Sequence, residues 1–70
     1  MDESFYQLLQ SDFVARSFYS RMKICREEGN ETEAERMYYV LEGYVWGLYS
    51  AGKMSVREKS EAIASLLRHT

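Results

Sequence analysis

Apolar residues recur at helical spacing along most of this chain, and the clearest run extends from Thr32 to Gly52. Ala34, Met37, Tyr38, Leu41, Tyr44, Val45, Leu48 and Tyr49 fall on one stripe of a single helix. Tyr39 and Trp46, seven residues apart, project from nearly the opposite side, and Val40, Gly43 and Gly47 form a small-residue strip beside them. A surface helix needs one apolar stripe only. A second one calls for cover that a short chain does not easily supply, and so points towards a binding or dimerisation face.

Helix boundaries are marked by glycine and hydroxyl residues, because the chain has no proline. Gly29-Asn30 and Gly52-Lys53 each place a glycine where a helix ends in the left-handed conformation. Thr32-Glu33-Ala34-Glu35 and Ser55-Val56-Arg57-Glu58 match the capping box, in which a hydroxyl and a glutamate reciprocally satisfy free backbone N–H groups. Ser4-Phe5-Tyr6-Gln7 is a weaker match. These signals predict an all-α domain of three helices spanning roughly 4–28, 33–51 and 56–68. The expected form is an antiparallel helical hairpin with the shorter third helix laid against it, all within a single domain covering 1–70.

The first predicted helix carries a conflict. Val14, Ala15, Phe18, Tyr19, Met22 and Cys25 share a face, but Phe5, Leu9 and Phe13 lie well round from it. Either one long helix meets neighbours on two sides, or the chain bends near Gln10-Ser11-Asp12, where Ser11 and Asp12 are good cap residues. The continuous helix is the preferred expectation. In the third helix Val56, Ile63, Leu66 and Leu67 are expected to face inward, and Arg57, Glu58, Glu61 and Arg68 outward.

Size sharpens the need for cover. A domain of 70 residues buries only about 60% of the surface its unfolded chain exposes, so small domains commonly use a disulfide, a metal or a partner. Cys25 is the only cysteine and His69 the only histidine, which rules out an intrachain disulfide and leaves a Cys/His zinc site short of ligands. Neither a metal nor another cofactor is expected. The first residues, Met1-Asp2-Glu3-Ser4, lack the basic and apolar regions of a signal peptide, and no stretch approaches a membrane span. A cytoplasmic protein with a reduced Cys25 and no membrane contact is the expectation.

The candidate chemistry is sparse. Gly43 and Gly47, one turn apart, suit either the close crossing of the first helix or contact with another chain. Arg16, Arg21, Lys23 and Arg26 form the one basic cluster, and a nucleic-acid regulator contacting its target through them is the alternative reading. The net charge of −2 disfavours it. Stacking of bases on Tyr39 and Trp46 is disfavoured by Glu35 and Glu42 on the same side. Leu48 to Ile63 bears only a thin likeness to a helix-turn-helix, because Glu58 and Glu61 occupy positions that such a helix turns to the core. The acids from Glu27 to Glu35 have no neighbouring histidine, Cys25 falls on an apolar face, and His69 is expected to be exposed near the chain end, so catalysis is not expected.

The function expected from the sequence is therefore protein interaction, as a homodimeric regulator, adaptor or inhibitor acting through helix packing. Its size and make-up resemble those of small accessory proteins of bacteria and phages. Tyr39, Val40, Gly43, Trp46 and Gly47 are the expected partner-binding residues, with Phe5, Leu9 and Phe13 extending the surface.

Overall fold

A computed structural model describes residues 3–68. They form four α-helices and no strand: α1 (Glu3–Ser11), α2 (Phe13–Glu27), α3 (Glu31–Ser50) and α4 (Val56–Arg68). The all-α expectation holds, but the long first helix is two helices. Asp12 takes an extended conformation (φ −118°, ψ 106°) and its carboxylate accepts the N–H groups of Val14 at 3.0 Å and Ala15 at 3.1 Å. The helical ladder still runs up to this residue, with the Asp12 N–H donating to the Leu8 carbonyl at 2.9 Å. One residue thus redirects the chain. Just before it, the Ser11 hydroxyl donates to the Gln7 carbonyl at 2.8 Å, a back-bond that loosens a helix at its end.

The other boundaries follow local chemistry. Gly29 (φ +78°) and Gly52 (φ +75°) occupy the left-handed region. Each closes a double bond pattern at a helix end: Asn30 N–H to the Cys25 carbonyl with Gly29 N–H to Arg26, and Lys53 N–H to Leu48 with Gly52 N–H to Tyr49. Ser55 and Glu58 complete the expected capping box at distances of 3.1 and 2.8 Å. The box expected at Thr32 does not form. Asn30 caps α3 instead, its side-chain oxygen accepting the Glu33 N–H at 3.2 Å, so the helix starts immediately after the turn. Ser4 does not cap either; it lies inside α1 and its hydroxyl donates to Glu61 on α4.

Packing joins α1 to α2, α2 to α3, α3 to α4 and α4 back to α1, with the α2–α3 hairpin as the most extensive pair. Phe5, Leu8 and Leu9 from α1 enter the same core as Met22 and Cys25 from α2 and Leu41 and Val45 from α3. This overturns the placement of Phe5 and Leu9 on a partner-binding surface: Phe5 is fully buried and Leu9 nearly so. The turn at Asp12 rotates α1 so that its apolar side points inward, and the Phe5 ring meets Tyr19 edge-on at 5.5 Å. In α4 the buried positions are Ala62, Ser65 and Leu66, while Val56 and Leu67 are exposed, contrary to expectation. Small side chains at positions 62 and 65 let α4 lie close against its neighbours, and Val56 sits in the first turn on the outer side.

Candidate protein-interaction face

α3 has 20 residues and runs about 30 Å, with its two sides in different environments. Ala34, Leu41 and Val45 are fully buried. Tyr38, Tyr44 and Tyr49 are half-buried, with the Tyr38 and Tyr44 hydroxyls reaching hydrogen-bond partners at the rim. On the opposite side Tyr39, Val40, Gly43, Trp46 and Gly47 are all exposed. Tyr39 retains 58% of its accessible surface and Trp46 47%, values far above those of core aromatics.

Among the described residues, no helix crosses at the glycines. A Cβ at Gly43 or Gly47 would meet nothing within 4 Å, so the intramolecular crossing is not the reason for these residues. Each glycine inside a helix costs about 1 kcal/mol relative to alanine, and no close packing among the described residues calls for one at either position. Trp46 is held from one side: Lys59 of α4 places Nζ 3.9 Å from its ring centroid and 4.9 Å from that of Tyr49. The Trp46 and Tyr49 rings meet edge-on at 6.1 Å, and Tyr38 and Tyr39 do so at 5.1 Å. Both outward aromatics are therefore held in orientation by neighbouring side chains.

The remaining candidates separate in space. Phe13 is 72% exposed, but it lies nine residues from buried Met22, about 180° round α2, and so on the side away from the core. Its ring packs on the Arg16 guanidinium at 5.7 Å. It does not extend the α3 face. The four basic residues do not share a face either. Arg16 and Lys23 lie together on the outside of α2, whereas Arg21 is about 140° round from Arg16 and Arg26 turns to α3, where it pairs with Glu31 at 2.9 Å. Cys25 is buried and free. His69 lies outside the described residues, as do Met1 and Asp2.

Electrostatics inside the fold is concentrated on two polar links. Asp12 accepts the Tyr44 hydroxyl at 2.8 Å as well as capping α2. That hydrogen bond, then burial and the carboxylate charge, raises the Tyr44 pKa above the usual phenol value. Burial first, and then neighbouring Glu42, raises that of Tyr38. Glu61 accepts from Ser4 and pairs with Arg57 at 3.1 Å, and these contacts, Ser4 foremost, hold its carboxyl below the usual range. A shallow hollow of about 580 Å³ beside this link is lined by Glu3, Ser60, Glu61, Ala64 and Arg68; it is wide open, and no residue of α3 lines it. Among the described residues no group of three or more His, Cys, Asp or Glu side chains is placed to hold a metal ion. No helix among them is long and apolar enough to cross a membrane.

Compared with known protein families, curated proteins and solved structures, the chain matches none. The exposure of Tyr39 and Trp46 was readable from their angular position opposite the stripe. The signal that Lys59 would brace Trp46 was not, since it depends on how α4 folds back.

Proposed function

We propose that this protein is a small protein-interaction module that binds its partner through the outer face of α3. The observation that carries the reading is the exposure of Tyr39 and Trp46 beside two open glycines on the side of α3 opposite the core. Trp and Tyr are enriched among the few residues that carry most of the binding energy at interfaces, and glycines let a partner backbone come close. Burial of this strip drives association, and the braced aromatics fix its geometry. The protein then acts as a regulator, adaptor or inhibitor whose effect is occupancy of the partner, in the cytoplasm. The dispersal of Arg16, Arg21, Lys23 and Arg26 around α2 favours this reading over contact with nucleic acid.

Trp46→Ala tests it. The variant should keep its helical content and lose at least about tenfold in affinity for whatever associates with the wild type, whether itself or another protein recovered with it. Unchanged mass in solution together with unchanged partner recovery would remove the face from consideration. The association should also tolerate added salt, because apolar burial is not screened. A steep loss of binding with salt, accompanied by a DNA or RNA mobility shift at low salt, would transfer the function to the basic side chains.

A further inference from the structure

We infer that the partner of this face is a second copy of the chain, packed antiparallel about a two-fold axis passing by Gly43; the inference rests on the interface reading above. Helix geometry gives the positions relative to Gly43. Tyr39 lies about 6 Å towards the N-terminus and Trp46 about 4.5 Å towards the C-terminus, both turned about 40–60° to the same side. Val40 and Gly47 lie at matching heights on the other side. A two-fold axis perpendicular to α3 at Gly43 therefore lays Tyr39 of each copy against Trp46 of the other, and Val40 against Gly47. One patch on both copies meets itself, as a two-fold interface requires.

Charge selects the antiparallel direction. Lys59 leans over Trp46 and Tyr49, so its ammonium stands beside the C-terminal half of α3 on the aromatic side. Glu35 and Glu42 lie on that same side of α3, about 12 Å and 1.5 Å to the N-terminal side of Gly43. Within the described chain none of these three has an ion-pair partner. Antiparallel packing carries each Lys59 to a height between Glu35 and Glu42 of the other copy, twice over. Parallel packing instead turns each Lys59 towards the other copy's small-residue side, away from both carboxylates. Opposed helix dipoles act in the same direction. The strip is short, so the interface belongs to the small class below about 1,200 Å², where weak association, with a dissociation constant between about 1 μM and about 1 mM, is expected.

Light scattering on the full chain from about 1 μM to about 1 mM brackets that range, and disulfide trapping then reads the direction. Buried Cys25 stays out of the reaction in the folded protein. Gly43→Cys should cross-link to itself. An equimolar mixture of Arg36→Cys and Ser50→Cys should give the mixed dimer, since each position is seven residues from Gly43 on opposite sides. Arg36→Cys alone should remain uncross-linked. Lys59→Glu should weaken self-association about tenfold, and mixing it with a Glu35→Lys, Glu42→Lys variant should restore a heterodimer. Circular dichroism checks that each variant is folded. A chain monomeric at every concentration overturns the proposal, as does self-linking of Arg36→Cys with no mixed product, the mark of parallel packing. A monomer that loses another protein on Trp46→Ala refutes self-pairing while the face reading stands. A dimer indifferent to Trp46→Ala and to Gly43→Cys trapping refutes both.

Discussion

Replacing Asp12 with alanine removes the acceptor of three donors at once: the N–H groups of Val14 and Ala15 and the Tyr44 hydroxyl. Loss of an N-cap costs about 1 kcal/mol. Loss of a carboxylate acceptor for the phenol costs about 1.5–3 kcal/mol when the pair is well shielded. Here both partners are half-buried, and water can reach the freed hydroxyl, so about 1–2 kcal/mol is the expected share. Asp12→Ala should then destabilise the fold by about 2–3 kcal/mol, out of a total on the order of 4–10 kcal/mol for a domain of this length. The melting temperature should fall by about 10–20 °C. Urea unfolding followed by circular dichroism, at concentrations too low for self-association, measures the change. Asp12→Asn keeps a good cap and should cost less than half as much. A double-mutant cycle with Tyr44→Phe isolates the link between α3 and the α1–α2 corner, and a coupling of about 1 kcal/mol is expected. If Asp12→Ala lies within about 0.5 kcal/mol of wild type, or if the two substitutions are additive, the corner is not held by this carboxylate.

The glycines divide into two pairs with opposite responses. Gly43→Ala and Gly47→Ala add a Cβ into open space and should each raise the stability of the dilute protein by up to about 1 kcal/mol, while weakening association through the α3 face; a fall in monomer stability would show that the positions are packed. Gly29→Ala and Gly52→Ala impose a Cβ on left-handed backbone and should each cost about 1 kcal/mol, read in the same unfolding assay. Because the Tyr44 and Tyr38 pKa values are raised on folding, their contribution is complete below the ordinary phenol pKa and is lost as pH rises through the raised values; alkaline unfolding of Tyr44→Phe should show less of this loss. Glu61 is lowered on folding, so its contribution is present above the ordinary carboxyl range and disappears as pH falls through the lowered value, and Ser4→Ala should flatten that acid limb.

Where local chemistry decides structure, the sequence was readable. The left-handed glycines and the Ser55–Glu58 box depend on residues next to one another, and both lie where the pattern put them. The start of α3 was displaced because Asn30 and Thr32 are both competent caps, and the tight bond pattern at Gly29 brings Asn30 into position first. The break at Asp12 was harder to read. No glycine or proline marks it, and its traces were the cap-forming pair Ser11-Asp12 and an apolar face that changed direction between Leu9 and Val14. Treating that trace as two faces of one helix sent Phe5 and Leu9 outwards; two helices turn them into the core. The inward side of α4 was misjudged at Val56 and Leu67 because burial there follows close approach through Ala62 and Ser65, which hydrophobicity alone does not rank. The outer strip of α3 was legible from angle alone, since its residues stand opposite a stripe that the hairpin must bury.

The bond from Ser4 to Glu61 joins residues 57 positions apart, whereas α2 and α3 meet across a tight turn at Gly29. Closing the short connection sacrifices far less chain entropy than bringing α1 to α4. The hairpin should therefore form first, and the α1–α4 clasp should close late. Substitutions in the α2–α3 contact, such as Leu41→Ala, should slow folding. Those at Ser4, Ala62 or Leu66 should instead leave the folding rate nearly unchanged and speed unfolding. On this account the fold divides its labour in time, with α3, the helix of the proposed face, set early and the clasp setting how long the folded chain survives.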